Sequence, residues 1–203
     1  MNYPNKKTIS NNKYIEYGKR GMTLESDINS SNRYYLENDI AVIYKKPTPI
    51  RVVKVDYNKR INTKITEAYY EVPSTTDYNG IYKGKYIDFE AKETKSKTSF
   101  SLNNIHEHQI IHLEKVYKHG GIAFLIIRFT MLDKTFLLFI NDFLEYINNN
   151  DRKSIPEKYI EEKGYIIKNG YNPILDYLKI VDKYIGEWYE KDISKNNWLY
   201  KEK

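Results

Sequence analysis

The chain has 203 residues, a net charge of +6 and no cysteine. That length suits one domain with a sizeable core. The lack of thiols excludes disulfides, thiolate metal sites and a cysteine nucleophile, so any metal must sit on oxygen or imidazole. The longest apolar run, GIAFLIIRF from Gly121 to Phe129, is well short of the roughly 20 residues of a membrane-spanning helix. The lysine-bearing N-terminus has no apolar stretch of signal-peptide type. A cytoplasmic protein without membrane contact is expected.

Residues 1–17 are polar, rich in Asn and Lys and without periodicity, and read as a flexible basic arm. From Thr23 the pattern turns helical: Leu24, Ile28 and Tyr35 approach a 3.6 period, Thr23 is available as N-cap, and the end falls near Asn38. Ala41 to Lys46 reads as a short strand, interrupted by Pro47 and Pro49. Arg51 to Val55 and Ile65 to Val72 are two further strands flanking a polar excursion, which predicts a protruding hairpin over about residues 51–70. Between Tyr44 and Lys64, Lys45, Lys46, Arg51, Lys54, Lys59, Arg60 and Lys64 stand against Asp56 alone, an imbalance that equals the whole chain's net excess. Such a segment suits a polyanion, because each cation near a phosphate releases condensed counterion. Tyr57 is placed to stack on a base. An ordinary solvated hairpin has the same composition.

Asn79-Gly80 predicts a hairpin turn and Gly84 a second break, with Tyr86 to Lys92 as the returning strand. Leu102, Ile105, Leu113 and Val116 mark an amphipathic helix. GIAFLIIRF, apolar on both faces, predicts a central strand, and Thr135 to Ile140 another. The last third adds helical patterns, with Pro173 in the first turn of a helix carrying Leu175, Leu178, Val181 and Ile185. Residues 187–203 read as a tail. These elements predict an α/β fold, a mixed β-sheet flanked by helices, with residues 18–186 as a single domain.

Chemistry concentrates on the predicted returning strand. Residues two apart share a face, so Asp88, Glu90 and Lys92 point one way and Ile87, Phe89 and Ala91 the other. Charges gathered beside a core are costly without a cation or tight pairing. Glu-x-Lys alone is a weak signal: it occurs at Glu90/Lys92, Glu93/Lys95 and Glu161/Lys163, against roughly two occurrences by chance. Only the first combines an alternating strand with an acid upstream, Asp77, which converges on Glu90 if the two segments pair. Thr75 shares the face of Asp77 in an extended segment. Oxygen ligands of this kind suit Mg2+ or Mn2+, and Lys92 is placed to offset charge on a phosphate. Gln109 occupies a helical stripe where an apolar residue is expected, so it either lies at a helix edge or faces the strand. His108 and His112 have zinc-helix spacing, but a metalloprotease motif needs Glu where Gln109 stands. No Walker loop or GxSxG elbow is present.

The segments PSTTDYNG, YIDFEAKETKSKTSF and LNNIHEHQ, with IEYGKRGM and DIAVIYKKPTPI, resemble the RecU family of Holliday junction resolvases, in the PD-(D/E)XK nuclease superfamily. The resemblance runs from about Ile15 to Asp182. It implies a restriction-endonuclease-like core with a projecting basic β-hairpin stalk, and a homodimer that cuts four-way junction DNA symmetrically with Mg2+ or Mn2+. It also implies that Thr75, Asp77, Glu90 and Gln109 hold metal, and that Lys92 is the transition-state stabiliser. The stalk would enter the junction centre and modulate the RecA recombinase, although its sequence departs further from the family than the core does. Where the family has glycine before Arg20, this chain has Lys19.

A junction-resolving endonuclease therefore leads, ahead of a restriction or repair nuclease of the same superfamily and of a non-catalytic basic DNA-binding module. Lys54, Tyr57, Lys59, Arg60 and Lys64 are the expected DNA contacts. Neutralising Lys59, Arg60 and Lys64 together is expected to weaken junction binding and to flatten the slope of log affinity against log salt by up to about 3. An unchanged slope in a binding titration would show that these side chains do not meet phosphate.

Overall fold

The computed structural model describes residues 23–56, 63–71 and 75–186. The predicted arm, the tail and the hairpin tip with Tyr57, Lys59 and Arg60 lie outside them. Helix α1 (Leu24–Glu37) begins and ends as its sequence predicts, with the Thr23 hydroxyl accepting from the Ser26 N–H at 3.2 Å and Asn38 closing the C-terminus. Strands β1 (Val42–Lys45), β2 (Ile50–Asp56) and β3 (Lys64–Tyr70) follow, then β4 (Tyr78–Tyr82), β5 (Lys85–Thr94) and β6 (Ser99–Ser101). Helix α2 (Glu107–Lys118) leads into β7 (Ile122–Phe129), β8 (Lys134–Phe139) and α3 (Ile140–Asn149). The chain continues through β9 (Ser154–Pro156), α4 (Glu157–Lys163) and β10 (Tyr165–Ile166) to a last helix described over residues 178–186.

The main sheet has six strands in the order β1-β4-β5-β7-β8-β10. Only β5 and β7 are parallel; α2 lies on the crossover between them, and the other pairings are antiparallel. Helix α1 and residues 178–186 cover one face, where the Phe89 ring stacks on Tyr78 and on Phe124, each at 4.8 Å, with Leu24, Ile28 and Tyr177 around them. Leu113, Phe143 and Ile160 of α2, α3 and α4 pack on the other face with Ala123, Leu125 and Ile127. Strand β7 is thus buried on both sides, as its unbroken apolar run predicts. Its one charged residue, Arg128, pairs with Asp27 of α1 at 2.7 Å and ties that helix to the sheet. Glu93 of β5 adds a second tie by accepting the Leu24 N–H at 2.9 Å. Among the described residues no helix is long and apolar enough to cross a membrane.

Among the described residues strands β2 and β3 pair only with each other, with register shifts between Val52 and Val55, and their side chains are almost all exposed. This two-stranded ribbon is the predicted hairpin, and it carries Lys54 and Lys64.

Three details correct the sequence reading. Asn79-Gly80 is not a turn: both residues lie within β4, and the reversal is the two-residue loop Lys83-Gly84, at φ 48° and 73°, as a type I′ hairpin requires. Gly80 serves close packing instead, since a Cβ there would fall 2.1 Å from the Val42 carbonyl oxygen of β1. Pro173 does not open a helix. A closed turn occupies that region, with the Gly170 N–H on the Ile174 carbonyl and the Leu175 N–H on the Ser31 hydroxyl, and helix resumes only at residue 178. Leu102 and Ile105 precede α2, because the 3-10 turn Leu102–Asn104 delays its start to Glu107.

Gly80→Ala must push β1 away from β4. A loss of about 1–3 kcal/mol is expected in chemical denaturation, and a cost below about 0.5 kcal/mol would mean that this edge yields freely.

Candidate active site

The register of β4 on β5 builds the site. Tyr78 pairs with Phe89, so the residue before Tyr78, Asp77, comes level with Glu90. The contact is direct: the Asp77 N–H donates to Glu90 Oε2 at 3.0 Å. Two residues on along β5, Lys92 Nζ lies 2.6 Å from Glu90 Oε1. Glu90 is fully buried, and on the parallel neighbour its partner is Leu125. The acid therefore borders an apolar layer.

Burial pushes the Glu90 carboxyl up to about 7, the negative charge of Asp77 adds to the rise, and Lys92 partly offsets it. Although Lys92 is close, it is out of line for a hydrogen bond, and Glu90 Oε1 has no aligned donor. A buried carboxylate oxygen with spare acceptor capacity, beside a second carboxylate, fits a hard divalent cation. Among the described residues no three His, Asp or Glu side chains converge as a complete cage. A cation here would draw on Asp77, Glu90, neutral oxygens and water, a set that suits Mg2+ better than an all-protein site would.

Thr75 lines a cleft of about 370 Å3 together with Asp77, Lys45, Lys46 and Thr48. Gln109 is buried, but its carbonyl oxygen accepts the His106 N–H at 3.0 Å and closes the first turn of α2. An amide carbonyl oxygen has two lone pairs, so one bond to His106 does not bar Gln109 from meeting a cation. Lys54 and Lys64 lie on the ribbon, opposite Glu67 and Asp56. The histidines form no zinc helix: His112 Nε2 lies 3.0 Å from Asp88, and the His108 ring stacks on His106.

The alternation puts Asp88 on the same charged face as Glu90 and does not distinguish the two. Asp88 is a fully buried hub, reached by Lys46 Nζ at 2.9 Å, the Tyr86 hydroxyl at 2.8 Å, His112 Nε2 and the Thr76 hydroxyl. Nothing in the local pattern marks Lys46, which lies 42 residues away from Asp88. Glu25 was also missed. The first turn of α1 brings it to a second cleft, of about 300 Å3, that it lines with Asp77, Lys92 and Glu93.

The family model described as "RecU: Recombination protein U" matches residues 19–183. A Holliday junction resolvase RecU of a Geobacillus species is 57% identical over 170 residues, which cover 82% of this chain and 85% of that protein. The protein of the same description from Staphylococcus epidermidis is 54% identical over 200 residues, covering 91% of this chain and 96% of its own. Among solved structures, Archaeoglobus fulgidus Hjc, a Holliday junction resolvase, aligns at a TM-score of 0.39 and 10% identity over 68% of this chain and 94% of its own.

The raised Glu90 carboxyl has a signed consequence for stability. Its folded value, about 7, exceeds its ordinary value of 4.5, so the folded state holds the proton more tightly. The cost of ionised Glu90 is absent below pH 4.5 and complete above pH 7, on the order of 3 kcal/mol at most. With metal removed by chelator, Glu90→Gln is expected to raise Tm relative to wild type at pH 8 and to lose that advantage near pH 4.5. Parallel Tm profiles across this window would refute the shift.

Proposed function

The chain belongs to the family of Recombination protein U, RecU, and we propose that it is a structure-selective DNA endonuclease that resolves four-way junctions by metal-dependent phosphodiester hydrolysis. The observation that carries this reading is the contact of Asp77 with Glu90 and of Glu90 with Lys92, within the stretch that the family model matches. A module that only bound DNA would gain nothing from a buried carboxylate, Glu90, held beside the negative charge of half-buried Asp77. The curated relatives named above are described as Holliday junction resolvases, and this chain shares most of their length.

In this reading Asp77 and Glu90 hold Mg2+ or Mn2+, with Thr75 and Gln109 completing the set. The cation, when bound, supplies Lewis-acid activation of the phosphate and of the attacking water. Lys92 places its ammonium where negative charge accumulates as one P–O bond forms and the other breaks. Glu90 is kept ionised by positive charge beside it, since its own surroundings favour the proton. The Asp77 N–H holds the Glu90 carboxylate in one orientation.

A four-way junction offers two equivalent strands, so symmetric cutting calls for two sites related by a twofold axis, and a homodimer is the economical assembly. The exposed β2–β3 ribbon, with its basic residues, is the element that would reach into the junction centre.

Asp77→Ala and Glu90→Gln are each expected to lower Mg2+-dependent cutting of a synthetic four-way junction by at least about 10³-fold, while junction binding in Ca2+ changes little. Wild-type protein should give paired nicks on the junction and little cutting of linear duplex. Undiminished cutting by both variants would remove the site, and equal cutting of junction and duplex would favour a restriction or repair nuclease.

A further inference from the structure

Asp77 precedes β4 on a segment without regular structure, yet it must hold its distance from Glu90 closely if the two are to share a cation. Irregular backbone needs ties from outside itself to stay in place. Lys46 supplies them from two directions. Its backbone N–H donates to the Asp77 carbonyl at 2.7 Å, and its ammonium donates to the Thr76 hydroxyl at 2.9 Å. The same ammonium reaches Asp88 at 2.9 Å, and the Thr76 hydroxyl donates to the other oxygen of that carboxylate. Thr76 is 3% exposed and Asp88 is fully buried, so the contacts are shielded from competing water.

We propose that Lys46, Thr76 and Asp88 form a positioning clamp that holds the Thr75–Asp77 segment against β5, and so sets the separation of Asp77 from Glu90. The proposal rests on the nuclease reading for its purpose, but its geometry stands apart from that reading. Thr76 lies between two proposed metal ligands and takes no part in ligation itself. Asp88 anchors the clamp to β5 two residues before Glu90; His112 and Tyr86 meet its Oδ2 beside Lys46, and the Thr76 hydroxyl meets its Oδ1. Through His112 the same hub reaches α2, three residues after Gln109. One buried carboxylate thus ties together the three segments that carry the proposed ligands. Groups behind metal ligands act in this way elsewhere, and their loss costs about 10- to 100-fold in metal affinity or activity.

Lys46 also lines the cleft, so its removal would mix lost positioning with lost phosphate attraction, and would leave Asp88 short of a cation. Thr76 carries no charge and gives the cleaner test. Thr76→Val keeps the shape and removes the donor to Asp88 Oδ1 while Lys46, Tyr86 and His112 stay on Oδ2, and Thr76→Ser restores the hydroxyl. In metal-free full-length protein, hydrogen exchange at the Asp77 amide is expected to quicken about 10- to 100-fold in Thr76→Val and to return near wild type in Thr76→Ser. Mn2+ affinity measured by calorimetry should fall by about 10- to 100-fold in the valine variant and recover in the serine variant. Single-turnover cutting should follow it, while junction affinity in Ca2+ stays within about twofold. Unchanged Asp77 exchange and Mn2+ affinity in Thr76→Val would overturn the clamp. So would a failure of serine to restore them, or a uniform rise in exchange across the sheet, which would mark a general structural role. If wild type binds Mn2+ but cuts no junction, the nuclease reading falls, and the exchange and affinity measurements still decide the clamp.

Discussion

Two carboxylates, Asp88 and Glu90, are fully buried on the same face of β5, a strand inside a six-stranded sheet. Taking a carboxylate out of water costs several kcal/mol unless opposite charge and hydrogen bonds replace the lost hydration. The fold meets that demand fully at one position and incompletely at the other. Asp88 gathers Lys46, Thr76, Tyr86 and His112 around it. Glu90 has the Asp77 amide and a misaligned Lys92, and its carboxyl rises accordingly. The difference sets a compensated carboxylate beside one that favours its proton, within two residues of one strand.

The surrounding architecture serves that arrangement. The Lys83-Gly84 turn sets the β4–β5 register that brings Asp77 level with Glu90. Gly80, having no Cβ, lets β1 approach β4 closely enough for the chain after it to deliver Lys46 to the Asp77 carbonyl. The parallel crossover from β5 to β7 places α2 over the acid-bearing face, where His112 and Gln109 are found. On the opposite face the Tyr78–Phe89–Phe124 stack holds β4, β5 and β7 in alignment. Slippage by one residue would turn Glu90 into that aromatic layer and Phe89 toward the cleft.

The β2–β3 ribbon follows a different logic. Among the described residues it is exposed on both faces and joined to no other strand, and isolated two-stranded hairpins are marginal in water. A ribbon with so little burial gains most from a partner, and the excess of Lys and Arg over residues 44–64 of the sequence suits a polyanion.

Much of this was legible in the residues themselves. Thr23 and Asn38 bounded α1 through local capping, the unbroken run of β7 declared a strand buried on both faces, and the alternation of Ile87 to Lys92 assigned each side chain to its face. These are short-range rules: they put Glu90 and Lys92 on one face, and left the arrival of Asp77 there conditional on the pairing of two segments. The same rules misread Asn79-Gly80, because a glycine selected for close strand packing looks identical in sequence to one selected for a turn. They misplaced Pro173 for a similar reason, since the Ser31 hydroxyl that helps to hold its turn belongs to α1. Whether Asp88 or Glu90 is the compensated carboxylate was decided only in three dimensions. The two acids share a face and a strand, and what distinguishes them is the arrival of Lys46, Thr76 and His112 from distant parts of the chain. Periodicity assigns a side chain to a face; only tertiary contacts determine which charges meet it there.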